Sequence, residues 1–152
     1  MSKKVLIAGG GGFIAGELAR VHLERGHEVV VADIKPQDEW YQLHADAQNH
    51  TVNLEEKAAC YRLVEGCDEV YNLACNMGGM GFIENNKTLC MLSVLINTHL
   101  LMAAKDAEVG RYFYSSSACV YPDYRQTDTD VVALKEDDAY PCLLYTSDAA
   151  DD

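Results

Sequence analysis

Val5-Leu6-Ile7-Ala8-Gly9-Gly10-Gly11-Gly12-Phe13-Ile14-Ala15-Gly16 decides how the rest of the chain is read. Four apolar residues in a row suit a strand buried on both faces. Glycines end that run, and Ile14, Leu18 and Val21 then recur at i, i+4 and i+7 on a helix that closes near Gly26. Between such a strand and such a helix, the spacing G-x-x-G-x-x-A gives each small residue a task. Gly9 makes the tight turn, Gly12 lets backbone approach a pyrophosphate, and Ala15 lets the helix lie close to the strand. The free N–H groups that open the helix, with its partial positive charge, complete an anion site.

Outward from this unit, strand-like and helix-like segments alternate. Glu28–Asp33 reads as a second buried strand and His50–Leu54 as a weaker third, followed by a helical stretch from Glu55 to Val64. Asp68–Ala74 is a fourth strand, Thr88–Ala107 a long helix and Arg111–Ser115 a fifth strand. The order βαβαβαβαβ predicts a parallel sheet with right-handed crossovers, a doubly wound α/β domain of the Rossmann type. In the long helix, Leu89, Met91, Leu92, Val94, Leu95, Ile96, Leu100, Leu101 and Met102 leave almost no polar face. A helix packed only on its own sheet needs one apolar stripe. Two readings fit: deep burial within the subunit, or contact with the same helix of a second subunit.

The chain has 152 residues, 49% hydrophobic and 24% charged, with 11 Gly and only 3 Pro, which fits one globular domain and excludes a collagen-like or disordered chain. Its longest apolar runs fall short of the ~20 residues that span a bilayer. Met1-Ser2-Lys3-Lys4 leads into five apolar residues, too few for a signal peptide, so the expected location is cytoplasmic. Twelve basic against 24 acidic residues give a formal charge of -12, which repels nucleic acid and acidic membranes. Much of the acid falls late, at Asp128, Asp130, Glu136, Asp137, Asp138, Asp148, Asp151 and Asp152. Cysteines 60, 67, 75, 90, 119 and 142 form no C-x-x-C pair, and the five histidines show no ligand spacing, so no metal site is expected. Reduced thiols, most of them small buried apolar residues, are the simpler account.

Asp33 ends the second strand 21 residues beyond Gly12, where a carboxylate accepts hydrogen bonds from the adenosine ribose of a dinucleotide. A 2′-phosphate there would meet a like charge, costing about 4 kcal/mol at about 4 Å in an interfacial dielectric. NAD is therefore expected over NADP, although Lys35, two residues on, could tolerate a phosphate. The plainer alternative is an ordinary turn aspartate.

Further motifs join these. Asn72-Leu73-Ala74 follows the fourth strand, and Ser115-Ser116-Ser117-Ala118-Cys119-Val120-Tyr121-Pro122 follows the fifth. Between them stands Asn76-Met77-Gly78-Gly79-Met80-Gly81-Phe82-Ile83, whose glycines suit a backbone-lined loop over a ligand. With the glycine loop and Asp33, these residues resemble the extended short-chain dehydrogenase/reductase family of nucleotide-sugar epimerases and dehydratases, from Val5 to about Pro141. The octet and Ser117–Pro122 resemble most the branch that epimerises a GDP-hexose at C3 and C5.

The resemblance implies NAD as cofactor and a nucleotide sugar, a GDP-hexose first, as substrate. It places Gly9, Gly12, Phe13, Ile14, Asp33, Asn53, Leu54, Leu73 and Ala74 against the cofactor. It gives Gly78, Ser117, Ala118 and Cys119 to the sugar, Ser117 bonding the reacting oxygen and Cys119 acting as acid or base at the ring carbons. Asn53 departs from the usual Asp, though its amide oxygen can still meet the adenine amino group. Oxidation at C4 would acidify the C–H bonds at C3 and C5, and a thiol of reference pKa ~8.5 needs only a modest downward shift to exchange those protons. For Cys119 the competing reading is a buried structural cysteine.

The family also uses Tyr-x-x-x-Lys after the fifth strand, and no tyrosine of this chain has that lysine: Tyr140 meets Leu144 and Tyr145 meets Ala149. The expected organisation is thus an NAD-binding domain over 1–141, truncated before the substrate domain, with 142–152 a non-native tail. Such a piece is expected to be inactive, and its parent to be a homodimer. A 4-epimerase or 4,6-dehydratase for another nucleotide sugar, and a non-catalytic dinucleotide-binding redox sensor, are the alternatives.

Overall fold

A computed structural model describes residues 2–76, 80–116, 121 and 133–139. The chain divides into two units, Met1–Ser115 and Ser116–Asp152. The first holds a five-stranded parallel sheet in the order β3-β2-β1-β4-β5. Its strands are β1 (Lys4–Ala8), β2 (Glu28–Asp33), β3 (Gln48–Thr51), β4 (Glu69–Asn72) and β5 (Arg111–Tyr114). Its helices are α1 (Phe13–Glu24), α2 (Lys57–Val64), α3 (Met80–Asn85) and α4 (Lys87–Asp106). In the second unit, the described residues include a 3₁₀ turn at Glu136–Ala139, preceded by the hydrogen bond from Lys135 N to Asp138 Oδ2 at 2.9 Å.

The apolar runs β1 and β2 are buried because side chains of alternate parity serve two cores. Val5, Ile7, Val29 and Val31 face Ala15 and Ala19 of α1 together with Trp40. Leu6, Ala8, Val30, Ala32 and Val70 face Cys60, Leu63 and Val64 of α2 and Ile96, Leu100, Ala103 and Ala104 of α4. Each fully buried Leu, Ile or Val contributes about 1.5–3 kcal/mol. The doubly wound architecture expected from the alternation of segments is thereby present.

Several boundaries differ from the sequence-based expectations, each for a local reason. No α-helix joins β2 to β3; a 3₁₀ turn at Gln37–Glu39 follows Pro36, and Trp40 supplies the apolar cover a helix would have given. Strand β3 begins two residues early and ends at Thr51, because Gln48-Asn49-His50-Thr51 is a polar edge strand without an apolar pattern. Helix α2 starts at Lys57, since the Asn53 Oδ1 accepts the Glu55 N–H at 2.9 Å and holds a turn there. The octet expected as a loop includes the start of a helix, α3, from Met80. On α4, Leu89, Met91, Val94, Leu95, Leu101 and Met102 are exposed, so complete burial within this chain is not its state. Among the described residues α4 is also the one helix long and apolar enough to cross a membrane, and its inner stripe packs on the sheet side.

Candidate dinucleotide site

The sheet order reverses between β1 and β4, and there the carboxyl ends of the strands leave a crevice. A cavity of about 380 Å³ occupies it, bounded by the residues that follow β1, β2, β3 and β4. Gly9, Gly12, Asp33, Asn53, Leu54, Leu73 and Ala74, all expected at the cofactor, line this one cavity. The chain order therefore brings seven positions, spread over 66 residues of sequence, to one place.

Gly9 has φ +83°, and a Cβ there would stand 2.7 Å from the Leu73 carbonyl carbon. Only glycine can make this turn while lying against the strand-end backbone of β4. The loop is fixed by hydrogen bonds from Gly9 N and Gly10 N to Ala32 O, at 2.8 and 3.0 Å, and from Gly12 N to Gly9 O at 3.0 Å. Gly12 precedes α1 without a side-chain cap, and no acidic residue stands in the first turn. The first-turn N–H groups thus lack intrahelical acceptors and face no competing negative charge. A Cβ on Gly12 would meet only Gly9 O, at 3.2 Å, and would otherwise occupy the space an approaching phosphate needs.

Asp33 is buried at the end of β2. Its Oδ2 accepts from Gly11 N and its Oδ1 from Lys35 N, both at 2.9 Å. Each oxygen keeps a second lone pair for a ribose hydroxyl. Asn53 Oδ1 is shared with the Glu55 N–H, and Asn53 Nδ2 reaches Glu55 Oε2 at 3.4 Å. Phe13 and Ile14 turn their side chains outward, 66% and 68% exposed, with Phe13 edge-on to Tyr41 at 5.9 Å. Any part they take falls to their backbone N–H groups.

The β4 wall is held from behind by polar groups. Asn72 Oδ1 accepts from Ala74 N at 3.1 Å, and Asn72 Nδ2 donates to Asn97 Oδ1 and Tyr112 Oη at 3.2 Å each. Tyr112 in turn donates to Asn97 Oδ1 at 3.1 Å, and burial pushes its phenol up to about 12. It therefore stays a neutral donor at physiological pH. Asn76 N donates to Ser93 Oγ at 2.9 Å, tying the segment after β4 to α4.

The cavity also includes Val52, Glu55, Cys75, Phe82 and Ile96, which the sequence reading did not assign to the cofactor. Their signal was weak, because they come from the β3–α2 connection, the segment after β4, α3 and α4, and only the fold makes these segments neighbours. Ser117, Ala118, Cys119 and Gly78 lie outside the described residues. Among the described residues no cluster of His, Cys, Asp and Glu could hold a metal ion.

A glycine turn at an uncapped helix N-terminus, a buried carboxylate at the end of the neighbouring strand, and a crevice at the sheet's reversal are the arrangement of a dinucleotide-binding α/β protein. Residues 5–146 match the NAD dependent epimerase/dehydratase family, and the chain belongs to it. NAD is the cofactor of that family. The chain is 40% identical over 139 residues to the GDP-mannose 3,5-epimerase of Arabidopsis thaliana, covering 91% of this chain and 37% of that protein. It is 39% identical to GDP-mannose 3,5-epimerase 1 of Oryza sativa subsp. japonica, covering 91% of this chain and 36% of the relative. This chain thus spans just over a third of the length of these relatives. Among solved structures, the UDP-glucose 4-epimerase of Thermus thermophilus in complex with NAD shares the fold, with a TM-score of 0.71 and 21% identity, over 87% of this chain and 42% of that one.

Proposed function

We propose that the chain is the NAD-binding portion of a nucleotide-sugar epimerase that acts on a GDP-hexose, in the manner of a GDP-mannose 3,5-epimerase. One observation carries this reading: Gly9, Gly12, Asp33, Asn53, Leu73 and Ala74 line a single crevice, in a chain 40% identical to such an enzyme. NAD would supply reversible oxidation at C4 of the sugar, with no net redox change over a turnover. The amides opening α1 bind the diphosphate, Asp33 orients the ribose, and the Leu73–Ala74 wall excludes water from the cofactor's face.

Downstream, Cys119 moves the proton at the ring carbons, Ser117 bonds the reacting sugar oxygen, and the backbone at Gly78 and Ala118 seats the sugar. These four roles come from the motif resemblance. Residues 1–141 form the NAD-binding domain in this reading and 142–152 a tail foreign to it. The 152-residue chain lacks a Tyr-x-x-x-Lys pair and is expected to bind NAD without turnover. The exposed outer face of α4 supports a homodimer of the whole enzyme.

Two measurements test the reading. Calorimetry on the chain should detect NAD uptake that Asp33→Ala weakens at least ten-fold, since a charge-assisted contact contributes about 1.5–3 kcal/mol. A full-length protein carrying residues 5–141, incubated with GDP-mannose in D₂O, should acquire deuterium at C3 or C5. Absence of label at both carbons would reject the 3,5-epimerase assignment and favour a 4-epimerase or dehydratase.

A further inference from the structure

Trp40 belongs to no motif, yet it closes a ring of contacts around Asp33. Its side chain is 8% exposed. The indole lies so close to the glycine loop that a Cβ on Gly11 would stand 2.8 Å from its Cδ1. Both backbone groups of Gly11 are committed: its N–H donates to Asp33 Oδ2 at 2.9 Å, and its carbonyl accepts from Tyr41 N at 3.3 Å. On the other side, Trp40 Nε1–H donates to Lys35 O at 2.9 Å, while Lys35 N–H donates to Asp33 Oδ1 at 2.9 Å. Thr51 Oγ1 donates to the same Lys35 carbonyl at 3.4 Å, from the strand position paired with Asp33.

The turn after β2 is therefore pinned at its carbonyl and at its carboxylate. Asp33 and Lys35 carry opposite charges within two residues, and both line the cavity. Whichever of them faces the ribose 2′ position decides between a hydroxyl and a phosphate. We propose that Trp40 is a positioning residue that sets the preference for NAD over NADP, by locking the 33–35 turn with the Asp33 carboxylate toward the ribose. The inference rests on the assignment of this cavity to a dinucleotide. Release of the Lys35 carbonyl frees the turn, lets the carboxylate rotate from the 2′ position and brings the Lys35 ammonium to it. A 2′-phosphate is then attracted where it was repelled.

The test is the ratio of NAD to NADP affinity, measured by calorimetry on the 152-residue chain. Trp40→Phe keeps an aromatic ring on Gly11 and removes the N–H. The ratio should fall about five-fold, the effect of one lost hydrogen bond. Adding Lys35→Ala to Trp40→Phe should restore the preference for NAD, and Lys35→Ala alone should leave the ratio near its original value. A merely structural role for Trp40 would weaken both dinucleotides equally and give Lys35 no such conditional effect. Should Trp40→Phe fail to fold, as circular dichroism would reveal, Thr51→Val removes the other donor from an exposed position and should lower the ratio in the same direction. An unchanged ratio in the folded variants overturns the proposal while leaving the dinucleotide site intact. An original chain that binds neither dinucleotide overturns the site assignment and this inference with it.

Discussion

Cys75 stands on the wall of the cavity with an exposed side chain, two residues beyond Leu73, whereas Cys60 and Cys67 are buried in the core behind β1 and β4. Burial pushes the Cys60 and Cys67 thiols up to about 11, and it raises Cys75 as well. Only the thiolate reacts, so burial protects the core pair twice, through access and through protonation. Iodoacetamide at mildly alkaline pH should label Cys75 while Cys60 and Cys67 react only on unfolding, and saturating NAD should slow the Cys75 reaction. Peptide mass spectrometry reads each site; a Cys75 rate indifferent to NAD would show that the dinucleotide does not cover that part of the wall. At this scale, Gly9, Gly12 and Asp33 were legible because one backbone turn and one charge at a strand end leave a local signature. Trp40 was not, because its partners Gly11 and Lys35 are joined to it only by tertiary packing.

Helix α1 meets β4 through His22, whose ring lies 5.2 Å from Tyr71 and 5.5 Å from His27. His22 is buried, and its Nδ1 has no hydrogen-bond partner. Burial first, and the neighbouring His27 second, lower its pKa; Arg25 and Lys3 act the same way, while Glu69 opposes them. A folded pKa below the unfolded value of about 6.5 means that the unfolded chain binds the extra proton first on acidification. Stability should therefore be constant above about pH 6.5 as far as this group is concerned, and fall as the pH drops below it. Urea titrations at successive pH values should show that acid limb, and His22→Leu should flatten it. An identical limb in the variant would assign the effect elsewhere.

Elements differ in how far sequence betrays them for similar reasons. Strands β1 and β2 are continuous apolar runs because both faces are covered, and that pattern reads directly. Strand β3 is polar and lies at an edge, so only its hydrogen bonds to β2 define it. Strand β4 ends at Asn72, where the side chain takes over the Ala74 N–H, a cap that resembles more strand in sequence.

At the scale of the sheet, the parallel order 3-2-1-4-5 puts two different strands at the margins among the described residues: the polar β3 and the aromatic β5, with Phe113 and Tyr114 exposed. Sequence conveyed the sheet and its crevice, since both follow from element order. It left open whether the apolar α4 is buried, and in this chain its outer face at Met91, Val94, Leu95 and Met102 is exposed; the homodimer proposed above would cover that face. Sedimentation velocity on a full-length protein carrying this helix should give a dimer, and Met91→Glu with Val94→Glu should give a monomer that still binds NAD. A dimer that survives both substitutions would move the interface elsewhere.

Trp40 is the chain's single tryptophan. Its indole is wedged between the glycine loop and the turn after β2, so intrinsic fluorescence excited selectively at that residue comes from beneath the nucleotide crevice and from nowhere else. The protein carries its own optical gauge of that corner, in which quenching, anisotropy and emission colour all register the tightness of the fold around one side chain without a label.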